Sequence, residues 1–159
     1  MARIKEQVAH QQRAARPLEL SAPVELMEGL PAAYTHALPR RPDSVAVARH
    51  LLRAQLRDGD LPHEVRDMAE LVVSELVTNA VLRTESSVVS CTARVFARGV
   101  RVEVRDEGPA VGAPPTGHGM FLVDKVARAW GSETDGTGRG RTVWASVCLA
   151  TTPSGRTER

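Results

Sequence analysis

The chain has 159 residues, 42% of them apolar and 25% charged, with a net charge of +2. That is the size of one domain around one core. The charge balance is too mild to argue for a nucleic-acid partner, and with aromatics at 3% there is little to stack on bases. No apolar run approaches the roughly 20 residues a membrane span needs, and the N-terminal MARIKEQVAHQQRAARPLEL has no apolar stretch of the kind a secretory signal carries. A cytoplasmic protein with a core of Val, Leu and Ala is the expectation. Cys91 and Cys148 fall in strand-like patterns without metal-ligand spacing and read as buried thiols.

Residues 1–32, broken by Pro17, Pro23 and Pro31, read as a flexible arm with a weak helix signal near Ile4–Ala15. Residues 33–150 read as the folded domain and 151–159 as a disordered tail. A first, edge strand is expected over Tyr34–Leu38, stopped by Pro39. A helix capped by Asp43 or Ser44 follows, with Val45, Ala48, Leu52 and Leu56 at helical spacing. A second helix starts near Pro62 and runs to about Leu82, with an apolar stripe of Val65, Met68, Ala69, Val72, Leu76 and Ala80. Two strands then alternate with period two, on Val89, Cys91, Ala93, Val95 and on Val100, Val102, Val104, and Arg98-Gly99 suits a tight turn between them. Pro109–Thr116 reads as a loop, Gly119–Trp130 as a helix, Gly131–Gly140 as a turn-rich loop and Thr142–Leu149 as a last strand. Adjacent antiparallel strands with one wet face argue for an α+β, two-layer sandwich. Its sheet would be mixed and mostly antiparallel, with helices on one face.

Four places carry candidate chemistry. Glu75 and Asn79 lie four apart on the second helix, on one face and about 6 Å apart along the axis. A carboxylate and an amide amid apolar residues need partners, which a ligand or hydrated metal would supply, or else that face is solvated. Asp106, followed by Glu107-Gly108, ends a valine-alternating strand, where a rigid sheet aims a carboxylate or the chain simply leaves the sheet. Gly117-His118-Gly119 precedes a helix, a place where backbone approaches a phosphate closely; His118 reads as a loop side chain, not a catalyst. The run lacks the third glycine of the dinucleotide fingerprint and the Lys and Ser or Thr of a P-loop. Arg139 and Arg141, in Gly138-Arg139-Gly140-Arg141-Thr142, reach phosphates or are solvated.

The order of these pieces resembles the bacterial ATP-binding proteins of the gyrase and histidine-kinase ATPase superfamily, with the Bergerat fold, and within it the stand-alone anti-sigma-factor serine kinases. The likeness covers roughly Leu38–Leu149: SELVTNAV is similar to the N box, VEVRDEG to the first glycine box, GHGMFLVDKVARAWG to the second with a Trp-Gly that closes its helix, and GRTVWASV to the terminal strand. The resemblance implies that ATP and Mg²⁺ are the cofactors. Asn79 would hold the metal and Glu75 would act as general base. Asp106 would accept from the adenine amino group, with Gly108 leaving room for the base. Gly117 and Gly119 would pack against the phosphates, His118 and Met120 would be among the cofactor-binding residues, and Thr142 would support Asp106 and the adenine. It implies a sigma factor and an anti-sigma-factor antagonist as partners, and allows a homodimer. The chain departs from the pattern at Ala110, where a second glycine is usual, at Leu82-Arg83-Thr84, where a histidine is usual, and in the short stretch between Gly108 and Gly117. Three functions stay open: a serine/threonine kinase that sequesters a sigma factor, a nucleotide-gated binding module, and a trans-acting histidine-kinase catalytic domain. The last expects a helical-hairpin phosphoacceptor, for which residues 1–30 are too few.

Overall fold

Five strands and three helices follow one another in the computed structural model, which describes residues 32–108 and 118–149, with only the backbone of His118 and Gly119. The expected arm (Ala32 apart), the expected tail, the Pro109–Thr116 loop and Gly117 lie outside the described residues. In chain order the elements are β1 (Ala32–Pro39), α1 (Ser44–Leu56), α2 (His63–Arg83), β2 (Val88–Val95), β3 (Gly99–Asp106), α3 (His118–Val126), β4 (Ala129–Thr134) and β5 (Arg141–Cys148). They form one sheet of order β1-β2-β3-β5-β4, an α+β sandwich. All four pairings are antiparallel, so no parallel pair stands among the described strands where a mixed sheet was expected.

Strand alternation builds the core. Val89, Cys91 and Ala93 of β2, Val100, Val102 and Val104 of β3, and Ala145 and Val147 of β5 are buried; in register Cys91 faces Val104, Ala93 and Ala145 flank Val102, and Val147 faces Val100. The helices cover this face. The central one, α2, touches α1, α3, β2, β3 and β5. Neighbours on so many sides explain why Val73 and Val77 are buried along with the expected Val65, Ala69, Val72 and Leu76. A buried Val or Leu stabilises by about 1.5–3 kcal/mol, so many aliphatic contacts do here what a few aromatic rings do elsewhere.

The first helix begins at Ser44, but its preceding residue, Asp43, is already in the right-handed helical region and makes no side-chain cap bond. The Ser44 hydroxyl instead donates to the Pro39 carbonyl at 2.5 Å, tying α1 to the end of β1. Gly99 is needed for a reason other than turn torsion. A Cβ there would sit 2.5 Å from the Val147 carbonyl oxygen, so the glycine lets β5 approach β3.

The largest departure from the sequence reading is β4. Trp130-Gly131, expected to close the third helix, lies in a strand, and α3 already ends at Val126. Trp130 Nε1 donates to Asp124 Oδ1 at 2.8 Å, tying strand to helix. Gly131 stands opposite Trp144, and a Cβ on it would meet the Trp144 ring at 3.0–3.1 Å. Trp144, 1% exposed, lies on the sheet face away from the helices, with Arg101 stacked 4.2 Å above its ring. The Glu103 carboxylate accepts from Arg101 at 2.9 Å and from Arg94 at 3.3 Å, relieving the like charges that the register sets opposite each other.

Candidate functional site

The third strand of five, β3, is hydrogen-bonded on both sides and carries Asp106 at its end, in register with Val89 of β2 and Arg141 of β5. Two residues on, Gly108 is buried. A Cβ on it would lie 3.0 Å from Thr84 Oγ1, 3.3 Å from the Ser86 nitrogen and 3.4 Å from Asp106 Oδ1. A carboxylate and a hydroxyl thus converge on the open side of a glycine that no larger residue can replace without displacement.

Thr84 reaches that point because α2 ends there. Its N–H donates to the Ala80 carbonyl at 2.9 Å, its own carbonyl accepts from Arg40 Nη1 at 3.1 Å, and its hydroxyl accepts from the Ser86 N–H at 3.0 Å. In the sequence Thr84 stands out only as part of Leu82-Arg83-Thr84, where the family pattern has a histidine. A threonine just past a helix, followed by Glu-Ser-Ser, was the available signal.

Glu75 and Asn79 are half-buried on α2, and among the described residues neither side chain, nor that of Asp106, has a hydrogen-bond partner. Their polar neighbours are spent locally: the Ser74 hydroxyl donates to the Glu70 carbonyl at 2.8 Å and Thr78 to the Ser74 carbonyl at 2.6 Å. Half-buried polar groups left without protein partners are the ones a ligand or water must satisfy.

The other expected residues are placed differently. His118 and Gly119 are the first two residues of α3, which packs on α2. Met120 is buried in the main core. Thr142 stands opposite Arg105 and Glu133, one residue out of step with Asp106, so its side chain falls on the other face of the sheet; Arg141 is the residue that shares Asp106's face. Asp106, Gly108 and Thr84 are therefore brought together, whereas the Thr142 side chain is not aimed at Asp106.

The glycines before β5 serve the turn. Gly138 has φ of 70°, a left-handed conformation that suits glycine. A Cβ on Gly140 would strike Arg105 Nη2 at 2.6 Å and Asp135 Oδ2 at 2.8 Å. The Arg105 guanidinium bridges Glu107 at 2.9 Å and Asp135 at 3.2 Å. Hydrogen bonds from Thr137 first, then from Arg105 and the Arg139 and Gly140 amides, hold the Asp135 carboxyl down to about 2. Burial pushes the Cys91 thiol up to about 12, which keeps it protonated and unreactive.

Residues 38–147 match the family described as Histidine kinase-like ATPase domain. No curated protein matches the chain. Among solved structures, the RsbU and RsbW domains of Rv1364c from Mycobacterium tuberculosis superpose with a TM-score of 0.60 at 17% identity, over 76% of this chain and 33% of that one. The chain thus spans about a third of that structure's length, and the likeness is one of fold. The Acinetobacter baumannii histidine kinase AdeS is matched at 15% identity and a TM-score of 0.41, over 92% of this chain and 80% of that one. With the family match covering most of its length, the chain belongs to the histidine kinase-like ATPase domain family, and that membership implies that it binds ATP.

Proposed function

We propose that the chain is a serine/threonine protein kinase that acts as an anti-sigma factor, transferring the γ-phosphoryl group of ATP to an anti-sigma-factor antagonist. The observation that carries this reading is the pair Glu75 and Asn79, half-buried on one flank of α2 without protein partners among the described residues. Nucleotide binding alone has no use for a carboxylate beside the amide. A protein kinase has one, because the attacking hydroxyl must lose its proton. Glu75 would take that proton, and Asn79 would offer a side-chain oxygen to Mg²⁺. This ion is held by few protein ligands and keeps phosphates and water in its shell. Asp106 would accept from the adenine amino group, with Gly108 open beneath the ring. Gly117 and Gly119 would bring backbone close to the phosphates. ATP with Mg²⁺ supplies the transferable phosphoryl group, and the chain supplies positioning and proton removal.

A second reading, a nucleotide-gated binding module, is favoured by Pro109-Ala110 in place of a glycine and by the short stretch to Gly117. Labelled ATP, Mg²⁺ and candidate antagonist proteins separate the two readings when wild type is run beside Glu75→Ala. Wild type is expected to label an antagonist on Ser or Thr. The variant is expected to keep its nucleotide affinity while transfer falls about 10²–10⁴-fold, the usual worth of a general base. Wild type that binds ATP and labels nothing establishes the module. A Glu75→Ala variant that transfers at the wild-type rate removes Glu75 from the mechanism.

A further inference from the structure

The second helix is long enough to serve two places at once. Its 21 residues span about 30 Å. Glu75, Asn79 and Thr84 lie in its C-terminal half or just beyond. Its N-terminal third borders a cleft of about 330 Å³ shared with α1, lined by Leu52, Leu56, Arg53, Arg57, His63, Arg66, Asp67 and Glu70. At about 100° per residue, Arg66 and Glu70 lie about 140° round the helix from Asn79 and Glu75, and Arg66 is about 20 Å from Asn79 along the axis. The cleft and the ATP site thus occupy different flanks and different ends of one helix.

The charges in the cleft are not balanced. Arg53 is held by the Glu70 carboxylate through Nε at 2.9 Å and through its second nitrogen, and this contact lowers the Glu70 pKa. His63 Nε2 lies 3.5 Å from Asp67. The Glu70 carboxylate is therefore engaged, while Asp67 and His63 are both exposed. Arg57 and Arg66 have no hydrogen-bond or ion-pair partner among the described residues, and the Nε of Arg66 is buried without an acceptor. A buried N–H of a charged group without an acceptor is costly and calls for an explanation, a water or an ion that completes it being one. The guanidinium's planar fork suits an oxyanion with two acceptor oxygens. The volume is at the small end of ligand pockets, and Leu52 and Leu56, both buried, give it an apolar floor.

We infer that the cleft between α1 and α2 is a second ligand site, distinct from the ATP site, which takes the phosphate or carboxylate group of a small anion on Arg57 and Arg66. The inference does not depend on the kinase reading, and its test involves no phosphotransfer.

Inorganic phosphate is titrated into the ¹⁵N-labelled chain, with amide and arginine Nε signals followed by NMR. Saturable shifts are expected across residues 53–70, the Arg66 Nε signal included. Arg57→Ala and Arg66→Lys are each expected to weaken the apparent affinity about tenfold, the worth of one charge-assisted hydrogen bond. Arg98→Ala, on the exposed β2–β3 turn, is expected to leave it unchanged. Well-dispersed spectra and wild-type melting of the variants separate loss of the site from loss of the fold. Arg57, exposed on the surface, is the variant that tests the site if Arg66→Lys is destabilised. Repeating the titration with glycerol phosphate and with glutarate distinguishes a phosphate ester from a carboxylate as the preferred source. Shifts confined to residues 75–84 and 118–120 would report phosphate at the ATP site alone and overturn the inference, as would shifts in 53–70 that Arg57→Ala and Arg66→Lys leave intact.

Discussion

Gly108 is the residue on which the candidate site turns. Its missing side chain leaves a space bounded by Thr84 Oγ1, the Ser86 nitrogen and Asp106 Oδ1, all within 3.4 Å of a Cβ position. A methyl group there must push one of them aside, and overpacking of this kind costs typically about 1–3 kcal/mol. Gly108→Ala is expected to lower stability by about that much and, because its methyl intrudes on the space proposed for the base, to weaken nucleotide binding about tenfold, or about 1.4 kcal/mol. Calorimetric titration with ADP checks it; unchanged affinity would show that the base does not use this space. At this scale the sequence was partly readable. Asp106 and Gly108 stand out because they end an alternating strand. Thr84 does not, because its place beside Gly108 depends on how the chain returns from α2 to β2. Thr142 as a support for Asp106 comes from the family resemblance and not from the sequence pattern itself. The register that aligns Asp106 with Arg141 could not be read there, and a shift of one residue moves a side chain to the other face.

Among the elements, the β4–β5 pair was the least legible. Ala129–Thr134 contains Gly131-Ser132-Glu133-Thr134, a composition typical of turns, and nothing local says that Gly131 is there to admit an indole. The turn joining these strands rests on Asp135, which accepts from Thr137 Oγ1 at 2.7 Å, the Thr137 N–H at 3.1 Å and the Arg139 N–H at 3.2 Å. Its carboxyl is held at about 2 against an ordinary value of 3.8. A carboxyl with a lowered folded pKa stabilises above its unfolded value, and that contribution is lost as pH falls through the folded one. The fold is therefore expected to lose this contribution progressively between pH 3.8 and 2. Asp135→Asn should lower the melting temperature at pH 7 and flatten its fall over that window. Parallel melting curves for variant and wild type from pH 5 to 2 would show that the turn carries no such linkage. The helices were more legible: α1 and α2 follow the apolar spacing closely. Val73 and Val77 lie off the apolar stripe because helical spacing marks one packed face, whereas α2 is packed on several.

Over the whole molecule, the α+β class and the packing of helices on one sheet face were readable from period-two strands beside period-3.6 helices. The strand order was not. β5 lies between β3 and β4, a pairing of segments distant in sequence that no local pattern announces. That order makes β3 the middle strand, with β1 and β4 at the edges. Amides of Val100, Val102 and Val104 are expected to exchange with deuterium only through global unfolding. Those at the outer edges of β1 and β4 should exchange faster, by local opening. Exchange at β1 as slow as at β3 would mean that its outer edge, unpaired among the described residues, is covered in solution.

Trp144 and Gly131 carry a consequence for how such chains diverge. The indole lies across Gly131 of β4, where a Cβ would meet the ring at 3.0 Å. The two residues are coupled by shape: a large residue at 144 favours glycine at 131, and a small residue at 144 frees 131 to carry a side chain. In related chains the two positions should therefore change as a pair, so that a substitution deleterious at either one alone becomes tolerable once the other has changed.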